Sequence, residues 1–180
     1  MPNQTDKYSW PRDMPPTIAQ KVIDALAQKY FIVHIRRQDQ LEFRNAYGMS
    51  ADFRPLAALI AMSDKRLFID SFTQHTAAAL GLPSTVLWIA NLPSQFGYEM
   101  HNNIIAAQPT LETDRKSSVW NKYDIIGPPS EFPYNSEDEI FDAEAIIAAV
   151  DSDCLVSKPR SAPLPQKPLY NRAQQKKKRA

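Results

Sequence analysis

A chain of 180 residues with 43% hydrophobic content has room for one domain with its own core, not for two. Its formal charge is +1, and the lone Cys154 rules out an internal disulfide or a multi-cysteine metal site. No apolar run approaches the roughly 20 residues of a membrane helix, and the start Met-Pro-Asn-Gln-Thr-Asp lacks the basic and apolar stretches of a signal peptide, so a cytoplasmic location is expected.

Residues 1–15 are polar and carry Pro11 and Pro15, as a lead-in segment would. Thr17 is a candidate cap for a helix over 16–29, whose Ile18, Val22, Leu26 and Tyr30 recur every fourth residue on one face. Phe31-Ile-Val-His-Ile35 reads as a strand, with His34 a core histidine. Residues 36–52 are polar and contain Gly48, which predicts a loop. Asp52 can cap a helix over 53–63 with Pro55 in its first turn and Leu56, Leu59 and Ile60 on its buried face.

Leu67, Phe68 and Ile69 form a short apolar run, as a buried parallel strand should. Asp70 and Ser71 break it, and Thr73 is a candidate cap for a helix over 73–80. Ala77, Ala78 and Ala79 let that helix approach the sheet; Gly81 can end it in the left-handed region, and Pro83 stops its continuation. A strand over Thr85–Ala90 follows at once. Residues 91–101 read as a loop and Asn103–Ala106 as a short strand, while 107–136 carry no assignment. Asp138–Val150 reads as a last helix buried through Ile140, Phe141, Ala145, Ile147 and Ala148.

This alternation predicts a three-layer, Rossmann-like α/β domain over 16–150. Its mainly parallel sheet would be joined by right-handed crossovers, with strands 31–35, 67–70 and 85–90 at the centre. Residues 151–180 read as a disordered tail rich in Pro, Lys and Arg. No acidic residue follows Asp153, and eight of the 21 basic residues lie there. Residues 1–157 therefore carry a formal charge of about −7. Such an arm suits a solvated tail or attraction to an anionic lipid surface. The acidic body opposes nucleic-acid binding.

The polar residues after Ile69 gather at a strand's carboxyl end, where open α/β sheets bind ligands. Taken alone, Asp70 and Thr73 are also ordinary cap residues, and His75 a satisfied helix histidine. The segment Asp70–Pro83 resembles the donor-sugar motif of the lipopolysaccharide heptosyltransferase family, which are GT-B glycosyltransferases. Asp70, Ser71, His75, Ala77, Ala78, Ala79, Leu80, Gly81 and Pro83 fit its pattern, and Phe96-Gly97-Tyr98 resembles a later Gly-Tyr element. The order of elements over roughly 15–105 is similar to that family's second half. One position departs: the glycine after Asp-Ser is Phe72, which cannot freely adopt φ > 0.

The resemblance implies the donor-binding half of a glycosyltransferase, taking a nucleotide-diphospho-sugar for transfer to an envelope glycan. A separate N-terminal acceptor domain would supply the general base, so no catalytic residue is nominated here. The turn Ser71-Phe72-Thr73-Gln74 would hold the diphosphate through backbone N–H groups and the helix dipole, without a metal or other cofactor. His75 would bond a phosphate, and Asp70 would fix the turn or touch the sugar. Gly97 and Tyr98, with Phe96 and His101, would close the pocket. Arg36 and Arg37, at the end of strand 31–35, would neutralise the diphosphate or else stand as solvated loop arginines; Asp39 or Glu42 would accept from ribose. The tail would then meet the inner membrane peripherally. The alternative is a non-catalytic interaction or relic domain that keeps the fold.

Overall fold

The computed structural model describes residues 12–89, 91–107 and 134–152. Asp13 and Met14, expected in a polar lead-in, are buried, and Met14 joins the core beside α1 (Pro16–Leu26). Pro16 opens that helix, where a missing N–H costs nothing and a fixed φ helps. Thr17 does not cap it; its hydroxyl donates to the Asp138 carboxylate at 2.7 Å. The expected stripe is buried as Ile18, Val22 and Leu26, joined by Ala19 and Ile23, and residues 27–29 form a turn rather than more helix.

The first strand, β1 (Val33–Ile35), pairs in parallel with β2 (Tyr47–Met49), a strand inside the stretch expected to be loop. His34 is buried, its ring 5.0 Å from that of Phe43. A second sheet holds β3 (Leu67–Ile69), β4 (Thr85–Trp88) and β5 (Asn102–Ile105), all parallel, in the order β3-β4-β5. The expectation that strand 31–35 shares one sheet with 67–70 and 85–90 is therefore corrected: its ladder runs to β2 instead. Three-residue Tyr-Gly-Met, largely exposed, has no apolar alternation by which to announce itself.

Alternate residues of β3 serve two cores. Leu67 and Ile69 pack with Leu87, Ile89 and α1 residues, whereas Phe68 packs with Leu56 and Ile60 of α2 (Phe53–Met62) and with Ala77 of α3 (Phe72–Ala79). Helix α5 (Ala143–Ser152) lies against α1 and buries Ile146 and Val150. Ile140 and Phe141 are buried just before it, next to a 3-10 turn over Glu137–Glu139, while Ala145 and Ala148 are exposed. The expected last helix is thus two pieces with a different buried phase. Residues 151 and 152, assigned to the tail, belong to the folded body. The remaining tail and most of 107–136 lie outside the described residues.

Helix α3 ends as its sequence predicts. Gly81 has φ +70°, its N–H donates to the Ala78 carbonyl at 2.9 Å, and the Leu82 N–H reaches back to that of Ala77 at 2.9 Å. This paired closure, with Leu82 packed on Ala77, satisfies carbonyls that the helix leaves open. Of the three alanines only Ala77 is buried against the sheet. A connection from β4 to β5 contains the four-residue helix α4 (Pro93–Phe96) and runs beside α3.

Candidate functional site

The turn after β3 is built from buried polar side chains. Ser71, not Thr73, stands at the cap position of α3, in extended conformation and with no side-chain bond to the helix backbone. Its hydroxyl instead pairs with that of Thr73, and both side chains are buried. No acidic residue stands in the first turn of α3, so the positive end of its dipole is not offset there. Phe72 is the first helical residue, so the turn is made without any residue at positive φ. Phe72 therefore imposes no backbone strain at this position.

Asp70 receives a hydrogen bond from the Asn91 side chain, which ties the ends of β3 and β4 together. The carboxylate is thereby fixed beside the turn. Gln74 is fully buried and donates through Nε2 to the Phe96 carbonyl at 3.1 Å. His75 bonds through Nδ1 with the Tyr98 hydroxyl at 3.0 Å, and the two rings meet edge to face at 5.6 Å. Tyr98 makes a second such contact with His101, also at 5.6 Å. His101 Nε2 lies 3.1 Å from the Gln74 carbonyl, which can only accept, so that nitrogen carries the proton. Gly97 ends α4, its N–H donating to the Pro93 carbonyl at 2.7 Å.

The structure thus gathers Asp70, Ser71, Phe72, Thr73, His75, Gly97 and Tyr98 around one end and flank of α3. Asn91 is a joining residue that the sequence did not point to, and Gln74, expected in the turn for its backbone N–H, joins through its buried side chain. Gln74 offered one signal, a polar side chain next to the sheet-facing pair Thr73 and Ala77. Asn91 offered none.

Arg36 and Arg37 are differently placed. The Arg36 guanidinium donates to the carbonyls of Arg37, Gln38 and Gln40 and pairs with Glu42, leaving 14% of its side chain exposed. Gly48 makes room for it, since a Cβ there would collide with the Arg36 side chain. Arg37 pairs with Asp39 at 3.3 Å on the surface. Asp39 and Glu42, considered for ribose, are therefore partners of these arginines.

A cavity of about 730 Å³ lies elsewhere, between Ile104 at the end of β5, Lys21 of α1 and the segment 138–145. It contains Asp138, Glu139, Asp142 and Glu144, and Lys21 already stands 3.6 Å from the Asp138 carboxylate. Such a lining repels a diphosphate. Among the described residues no cluster of three His, Cys, Asp or Glu is arranged to hold a metal. Comparison with family models, curated proteins and solved structures finds no match for this chain. No helix among the described residues is long and apolar enough to cross a membrane.

Proposed function

We propose that this chain is the donor-binding half of a glycosyltransferase, a Rossmann-like, three-layer domain of the GT-B kind that holds a nucleotide-diphospho-sugar. The observation that carries this reading is the end of α3. It opens at the carboxyl end of a parallel strand, lacks a side-chain cap and any first-turn carboxylate, and carries His75 in reach of solvent beside Tyr98. Backbone N–H groups of the turn, other than that of Gln74, which donates to the Ser71 carbonyl at 3.2 Å, receive the diphosphate there with the dipole. His75 donates to a phosphate oxygen as charge builds on the leaving nucleotide. Asp70, held by Asn91, stands toward the sugar rather than the phosphates.

In this reading the general base and the acceptor, an envelope glycan, belong to a separate N-terminal domain, and the basic tail brings the complex to the inner membrane surface. Arg36 takes no part, because its two terminal guanidinium nitrogens are engaged within its own loop and its Nε is buried. A relic or interaction domain is what remains if nucleotides do not bind.

Titration calorimetry with nucleoside diphosphates tests the reading directly. His75→Ala should weaken binding by about 1–3 kcal/mol, the usual worth of a hydrogen bond to a charged group. A wild-type chain that binds none of them at millimolar concentration would turn the reading toward the relic.

A further inference from the structure

We propose that Phe53 and Phe72 form the stacking surface for the aromatic base of that nucleotide, an inference that rests on the donor-site reading above. These residues are the first of α2 and α3, and their ring centroids lie 6.5 Å apart with the planes inclined at 40°. Phe53 is 64% exposed and Phe72 49%. Neither belongs to the apolar cluster beneath, which is built from Leu56, Ile60, Phe68, Ala77 and Leu82. Two large rings thus stand together in water at the mouth of the 71–75 turn, where a planar ligand removes their apolar area from solvent.

Charge decides what kind of ligand fits. Neither α2 nor α3 has an acidic residue in its first turn. Arg54, directly after Phe53, is exposed and has no hydrogen bond or ion pair among the described residues. A cation so close to a helix's positive end is disfavoured by the dipole unless an anion comes to it. Asp52, at the cap of α2, offsets part of this field and Arg54 restores it. Apolar ring faces beside positive potential suit an aromatic heterocycle that carries an anionic group, and a nucleoside diphosphate has both parts.

The test compares inorganic pyrophosphate with ADP, GDP, UDP and CDP by titration calorimetry. It uses the full chain, Phe53→Ala and Phe72→Ala, with melting temperatures checked for each. At least one nucleoside diphosphate should bind about tenfold more tightly than pyrophosphate; each variant should lose most of that preference, and Phe53→Ala, which lies outside the 71–75 turn, should bind pyrophosphate within about twofold of the parent. If pyrophosphate binds and the base adds nothing, or the preference survives both substitutions, the stacking surface is wrong and the diphosphate site stands. Equal loss of both ligands would show that the phenylalanines act on the turn and not on the base. Failure of the parent to bind either class removes the donor-site reading and the stacking surface with it.

Discussion

The segments that follow β1 and β3 both leave the carboxyl ends of parallel strands, and they use their polar groups in opposite ways. After β1, residues 36–46 close on themselves. Arg36 gathers three carbonyls and a carboxylate, while Arg44 and Asn45 fasten the loop to Gln20 and Asp24 of α1. After β3, Ser71 and Thr73 satisfy each other and leave the end of α3 without a side-chain cap. Position at a strand's carboxyl end is permissive for binding. What separates the two segments is how many of their donors are already engaged.

The most forceful way to break this comparison is Arg36→Ala. Removing a guanidinium that organises four acceptors should cost about 2–3 kcal/mol in urea unfolding, at the upper range for hydrogen bonds to a charged group. Nucleoside diphosphate affinity should not change. Loss of affinity without loss of stability would show that Arg36 reaches the ligand, and the contrast between the two segments would vanish.

Gly81→Ala sharpens the comparison from the far end of α3. A Cβ at Gly81 meets nothing within 4 Å, so the whole penalty comes from φ +70°. A left-handed alanine costs about 1–2 kcal/mol. The melting temperature should fall while the 71–75 turn, at the other end of the helix, keeps its ligand affinity. An unchanged melting temperature would mean that this turn contributes little to holding α3 on the sheet.

The same contrast explains what could be read from the sequence. The β3–α3–β4 unit was legible because its local signals agree with its packing: an apolar triplet, a polar break, Ala77 against the sheet and a helix-ending glycine. The polar turn at its head was legible for the same reason. The β1–β2 pair was not, because Gly48 leaves a gap for the Arg36 side chain and Tyr47 is exposed, so β2 has no buried alternation. Capping was misplaced twice, at Thr17 and Thr73, because both hydroxyls had better partners: Asp138 across the fold and Ser71 two residues back. Tertiary partners of that kind leave no mark on local spacing. The last helix lost its phase because Ile140 and Phe141 are buried ahead of it rather than within it.

The smallest expected effect concerns a contact that joins the lead-ins of β1 and β3. Asp151, near the end of α5, receives Lys29 Nζ at 2.6 Å and the Tyr30 hydroxyl at 3.0 Å, and its carbonyl accepts from Lys65, which leads into β3. The bonds from Lys29 and Tyr30 hold the Asp151 carboxyl below the ordinary carboxylate range, and the bond to Asp151 raises Lys29 above its usual value. A lowered carboxylate contributes stability that is fully present above the ordinary range and lost as pH falls through its folded value. A raised lysine contributes fully below its ordinary value, and loses that contribution as pH rises through the folded one. Between these limits Asp151→Asn should lower the melting temperature slightly. The effect stays small because the pair is solvated, salt screens it, and an acid near a helix's carboxyl end is disfavoured by the dipole. Followed from neutral to acid pH, the difference between parent and variant should shrink to nothing as Asp151 protonates. A difference that persists in acid would mean that Asp151 acts by packing and hydrogen-bond geometry rather than charge, and that the clasp on the two lead-ins is not electrostatic.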